Sequence, residues 1–159
     1  MTGGSGWPLR RVVSGGQTGA DQGGLEAALR AGLETGGWAP RDFMTEDGPQ
    51  PALADRYGLT ECSGGYDERT VKNVQDSDAT VIFARHLDSD GSKLTLDAIA
   101  RLGRPFIVNP TGAELAEFIR EHNVAVLNVA GNRESLAPGV AAEVEHLMLE
   151  AVGLLEGDR

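Results

Sequence analysis

The run Val12-Val13-Ser14-Gly15-Gly16-Gln17-Thr18-Gly19-Ala20-Asp21 carries the most chemistry in this sequence. A β-branched pair feeds a glycine cluster, and a helical pattern opens behind it with Leu25, Ala28 and Leu29 along one face. Gly15, Gly16 and Gly19 permit positive φ and a close approach of backbone to ligand. The first turn of a helix adds unpaired N–H donors and a partial positive charge. Together these make a site for phosphate or another oxyanion, with Gln17 and Thr18 adding side-chain groups at the mouth. The same run also reads as a tight strand-to-helix turn that needs glycine for geometry alone. Asp21 then serves either the site or only the helix dipole.

Two more loops have the composition of ligand loops. Asp90-Gly91-Ser92-Lys93-Leu94-Thr95 offers a second helix N-terminus and one of the two lysines of the chain. Lys93 suits an anionic ligand there, or is an exposed surface lysine. Asn128-Val129-Ala130-Gly131-Asn132-Arg133-Glu134-Ser135 brings an arginine whose planar fork matches phosphate or carboxylate. The alternative for Arg133 is a surface ion pair with Glu134 or a neighbouring acid, which contributes little. Two helix mouths with Lys93 and Arg133 point to a ligand bearing phosphate or oxyanion groups.

Metal and nucleophile readings find little support. His86, His122 and His146 are scattered, and Cys62 is the single cysteine, so no ligand pair stands at zinc spacing. Cys62 reads as an inert thiol, and His122 as a packing or helix-end residue. No Gly-x-Ser-x-Gly elbow and no Gly-Lys-Ser phosphate loop occurs. Asp42, Glu46, Asp47 and Asp55 read as a solvated acidic face, a metal-assisted site being the lesser alternative.

The elements that must position these loops alternate. Arg11–Ser14 reads as a strand and Gly19–Gly32 as a helix, with a short second strand ending at 36–38. Residues 39–68 show prolines, glycines and little periodicity, so a functional loop or missed elements are expected there. A helix follows over Arg69–Asp76, capped by Asp67. The apolar run Ala79–Ala84 has the character of a strand buried on both faces. A helix through Leu94, Ala98, Ile99 and Leu102 stops at Gly103. A strand at Pro105–Val108, a helix from Thr111 or Gly112, a strand at Val124–Val129 and a last helix begun by Pro138 complete the chain. The fold class that follows is α/β: a Rossmann-like three-layer α/β/α arrangement with a mostly parallel central sheet. Ligands of such sheets sit beyond the carboxyl ends of the strands, where strand order reverses.

At 159 residues the chain has the size of one domain. We read residues 11–155 as a single ligand-binding domain behind a flexible N-terminus at 1–10. A net charge of −10 and 5% aromatics argue against a nucleic-acid partner. No apolar run is long enough to cross a membrane, and a cytoplasmic protein is expected. Leu149, Leu154 and Leu155 give the last helix more apolar surface than one face needs, which suggests a homo-oligomer interface.

The sequence resembles the molybdenum carrier family, a molybdenum-cofactor carrier-protein-like group. The matching pieces are Ser14-Gly-Gly-Gln-Thr-Gly-Ala-Asp21, Gly37-Trp-Ala-Pro40, Thr45-Glu-Asp-Gly48, Tyr57-Gly-Leu-Thr-Glu61, Arg69-Thr70 with Asn73-Val74, Asp76-Ser-Asp-Ala-Thr80, and Leu127 to Ser135 with Pro138-Gly139. They run in family order along nearly the whole chain. Where the family has a Gly-Gly-Thr type of turn this chain has Gly91-Ser92-Lys93, and where many relatives have Pro-Lys-Gly it reads Pro40-Arg41-Asp42. The resemblance implies a Rossmann-like fold and a dimer or tetramer. It also implies binding, without catalysis, of molybdenum cofactor (molybdopterin) or a related phosphorylated pterin or nucleotide-like molecule. The residues implied are Gly15 to Gly19 and Asp21 in the first loop, Arg69, Thr70 and Asn73 nearby, Gly91 to Lys93 with Thr95 in the second, and Asn128, Gly131 and Arg133 to Ser135 in the third. The same superfamily is similar to phosphoribohydrolases, so a nucleotide N-glycosidase using Asp97 or Glu134 is one alternative. A nucleotide-sensing module is another.

Overall fold

In chain order the elements are β1 (Arg11–Val13), α1 (Ala20–Arg30), β2 (Glu34–Gly36), β3 (Trp38–Ala39), a 3-10 turn (Arg41–Phe43), β4 (Met44–Thr45), β5 (Gly48–Pro49), α2 (Ala52–Tyr57), β6 (Thr60–Glu61) and α3 (Tyr66–Gln75). Then come β7 (Ala79–Phe83), α4 (Asp90–Leu102), β8 (Phe106–Val108), α5 (Gly112–Glu121), β9 (Val126–Gly131) and α6 (Val140–Gly157). The computed structural model describes residues 8–157. Five strands form one sheet in the order β2-β1-β9-β7-β8, every pairing parallel. The α/β, Rossmann-like expectation holds.

Counting β9 first, with β1, β2, β7 and β8 after it, turns this order into 3-2-1-4-5, the arrangement of doubly wound dinucleotide folds. Order then reverses between β9 and β7, the place where such sheets open a ligand crevice.

The period of two along the strands sorts side chains onto the two faces. Val81 and Phe83 of β7, with Leu127 and Val129 of β9, join the large core formed with α1, α5 and α6. Ile82 faces the other way, onto Val74 of α3 and Ala98 and Ile99 of α4. The extra leucines of α6 serve that core: Leu155 is buried, Leu149 packs against the cluster, and only Leu154 stays 42% exposed. Among the described residues no helix is long and apolar enough to cross a membrane.

Several expectations need adjusting. Residues 1–7 of the expected loose segment lie outside the described residues. Leu9 is buried and the Arg10 N–H donates to the Ala125 carbonyl at 3.0 Å, so order begins before Arg11. The stretch 39–68 holds two two-stranded sheets, β3 with β6 and β4 with β5, and the short helix α2. Strands of two residues show no period to read. Helix α3 starts at Tyr66 with Gly65 as its N-cap, three residues before the expected Arg69, and Pro138 lies in the turn ahead of α6.

Gly131 closes β9 at φ +152°, and a Cβ there would stand 2.0 Å from the Phe83 carbonyl oxygen. Gly153, on α6, meets nothing within 4 Å. Gly131→Ala should thus cost about 2–4 kcal/mol through strain and displaced backbone. Gly153→Ala should gain about 0.5–1 kcal/mol from helix propensity. Urea denaturation of the two variants checks both signs.

Candidate functional site

Parallel strands deliver their carboxyl ends to one edge, and a crevice of about 480 Å³ opens there. Gln17 and Asp21 line it from behind β1, Ala130 and Gly131 from the end of β9, and Asn132, Arg133 and Leu136 from the loop behind it. Ser89, Asp90, Gly91, Leu94 and Thr95 line it from behind β7, while Tyr66, Asp67, Arg69 and Thr70 come from the first turns of α3 and Glu46 from the β4–β5 turn. This volume lies in the range of small-molecule sites.

Asn132 joins two of these walls. Its side-chain carbonyl accepts from the His86 N–H at 2.9 Å and its amide donates to the His86 carbonyl at 3.1 Å, fixing the loop after β7 to the loop after β9. Gly19 lets the mouth of α1 close on this turn, since a Cβ there would meet the Asn132 carbonyl oxygen at 2.4 Å.

Arg69 crosses from α3 to the first loop, where its Nη1 lies 3.3 Å from Asp21 Oδ2. The guanidinium occupies the space a side chain on residue 15 would fill: a Cβ on Gly15 would stand 2.0 Å from Nη1. Asp21 is 3% exposed and also accepts from the Gln17 N–H at 3.2 Å. Burial raises its carboxyl above the ordinary range, and Arg69 and the Gln17 N–H offset that only in part. The Arg69 Nε is buried without a hydrogen-bond partner. Arg69 therefore holds unspent donor capacity beside the crevice.

A second cluster gathers around Glu46, whose side chain is 17% exposed. One carboxylate oxygen accepts from the Thr18 hydroxyl and from the Ser135 N–H, the latter at 3.1 Å. The other accepts from the Ser135 hydroxyl and lies 3.2 Å from Arg133 Nε. Burial acts to raise this carboxyl, but the Ser135 and Thr18 hydrogen bonds and Arg133 together hold it below its ordinary value.

The residues singled out in the sequence divide accordingly. Gln17, Asp21, Arg69, Thr70, Gly91, Thr95, Gly131 and Arg133 line the crevice, and Thr18 and Ser135 meet at Glu46. Gly15, Gly16 and Gly19 are buried backbone of the first loop. The N–H groups of Gly16, Gln17 and Thr18 donate to the side chains of Ser14, Asp21 and Gln17, so the first loop satisfies its own donors. Ser92 is buried and Lys93 is exposed, neither lining the crevice. Asn128 is buried inside the sheet, donating to Thr80 at 3.3 Å. Asn73 is buried and exchanges two hydrogen bonds with the Trp38 backbone. Glu134 accepts from the Gly139 N–H just ahead of α6 and from the Ala141 N–H in its first turn. Asp97 pairs with Arg101 on the exposed side of α4.

Sequence reasoning missed Glu46, Tyr66, Asp67, Ser89 and Leu136, and gave Asp90, Leu94, Ala130 and Asn132 no role of their own within the two loops that hold them. Glu46 belonged to an acidic stretch that reads as a solvated face, and this residue departs from that reading because donors from two distant loops surround it. Among the described residues no group of three or more His, Cys, Asp or Glu side chains is placed to hold a metal ion.

The circularly permutated YpsA SLOG family matches residues 12–152, a description that agrees with a sheet whose order becomes regular when β9 is counted first. Among solved structures, a putative molybdenum carrier protein from Syntrophus aciditrophicus SB is similar, with a TM-score of 0.79 and 29% identity over 94% of this chain and 96% of that one. No curated protein matches.

The raised carboxyl of Asp21 has a consequence for stability. Above the unfolded value of 3.8 the folded chain holds this proton more tightly than the unfolded chain does. Stability contributed by Asp21 is therefore full below 3.8 and falls as pH rises through the higher folded value. Urea denaturation across pH should show native protein losing stability relative to Asp21→Asn from pH 3.8 upward. A difference independent of pH would contradict the assignment.

Proposed function

The chain belongs to the circularly permutated YpsA SLOG family, and on that premise we propose that it is a carrier of a phosphate-bearing small molecule. The ligand class is molybdenum cofactor or a related phosphorylated pterin or nucleotide-like compound. The observation that carries the reading is the crevice at the reversal of strand order, with Arg69 and Arg133 on its walls and the first turns of α3 and α4 facing it. The similarity to a protein described as a molybdenum carrier supports the same class.

The donor set suits such a ligand. Arg69 keeps a partnerless buried Nε, Arg133 brings a second fork, and helix N-termini favour anions. Tyr66, Leu94 and Leu136 supply apolar area for a flat ring. Molybdopterin, when bound, brings its metal on its own organic frame, and the residues here would grip its phosphate and ring. The glycosidase alternative is less supported, because Asp97 and Glu134 are engaged outside the crevice.

A thermal-shift screen of molybdopterin, phosphorylated pterins and nucleoside phosphates tests the proposal. A ligand present at a hundred times its Kd should stabilise the protein by about 2.7 kcal/mol. Arg69→Lys keeps the charge beside Asp21 but loses the fork, and should weaken that ligand about tenfold. Absence of any shift across the screen, or full affinity in Arg69→Lys, would contradict the assignment of this crevice.

A further inference from the structure

We infer that Thr18, Arg133 and Ser135 form an oxyanion site which the protein fills with its own Glu46 carboxylate, so that a phosphate-bearing ligand binds by displacing Glu46 and the β4–β5 hairpin. This rests on the reading of the crevice as an anion-binding site and adds to it a built-in competitor.

The donors come from two elements that the fold brings together. The Thr18 hydroxyl sits ahead of α1, and the Ser135 N–H, the Ser135 hydroxyl and the Arg133 guanidinium follow β9. Thr18 is held in place from behind, since its hydroxyl oxygen accepts from the Glu134 N–H at 3.1 Å. A backbone N–H, two hydroxyls and a guanidinium converging on one carboxylate match what a phosphate oxygen requires. Glu46 and Arg133 both line the crevice, so the site is continuous with it.

The acceptor in this site sits on a small, weakly held element. The β4–β5 hairpin pairs only Met44 with Pro49 and Thr45 with Gly48. Its turn is fastened to the rest of the molecule by Glu46: the carboxylate bonds above, and the Glu46 N–H donating to Gln17 Oε1 at 2.9 Å. Met44, Asp47 and Pro49 are exposed and the one buried residue of the hairpin, Thr45, is polar, so a swing of this hairpin uncovers little apolar surface. The competing charge is retained at neutral pH, because the same donors hold the Glu46 carboxyl below its ordinary value.

An internal ligand lowers apparent affinity by the fraction of molecules in which it vacates the site. Glu46→Ala empties the site, and Glu46→Gln keeps the shape without the charge. Calorimetry with inorganic phosphate and with AMP should show both variants binding more tightly than native protein, Glu46→Ala by at least about tenfold. Adding Arg133→Ala to Glu46→Ala should reverse the gain. In native protein, amide exchange over residues 44–49 should accelerate when phosphate is added. Binding equal to or weaker than native in both Glu46 variants overturns the inference while leaving the crevice assignment intact. No binding by native protein or either variant overturns both.

Discussion

The Arg69 guanidinium must lie where residue 15 has no side chain, and much of the site follows from that placement. Only glycine at position 15 leaves the room, with a Cβ falling 2.0 Å from Nη1. The guanidinium then reaches buried Asp21, which in turn accepts from the Gln17 N–H and fixes the loop after β1. A buried ion pair is seldom a net source of stability, because both charges give up their hydration. Here the balance is incomplete: Asp21 stays raised, and one arginine nitrogen has no partner. Such incompleteness beside a crevice supports the proposed ligand role of Arg69.

The sheet explains why these groups share one edge. Parallel pairing sends every strand end, and so every loop that opens a helix, to the same side. Placing the chain's last strand between its first and third long strands puts the β9 turn at the centre of the site. Asn132 and Arg133 accordingly work from the middle of the crevice, although they lie near the end of the sequence.

Much of this was legible in the sequence because its causes are local. Gly15, Gly16 and Gly19 beside a helical stripe mark the first loop, and the run from Ala79 to Ala84 marks a doubly buried strand. What depends on partners far along the chain was not legible. Glu46 lies 28 residues from Thr18 and 89 from Ser135, so nothing near it separates it from its exposed neighbour Asp47. Asn132 meets the His86 backbone 46 residues away. Lys93 is the reverse case: its place in the second loop suits either a ligand contact or a surface lysine, and the helical turn puts it in solvent beside Leu94 and Thr95, which do line the crevice. Strand order, which decides which loops meet, has no local signature at all.

Native mass spectrometry of the freshly purified protein, with its denatured mass as reference, tests the central claim most directly. The account predicts extra mass per chain that is lost on denaturation and corresponds to a phosphate-bearing pterin or nucleotide-like molecule, either as isolated or after incubation with molybdopterin. A native mass equal to the bare polypeptide under both conditions would contradict it.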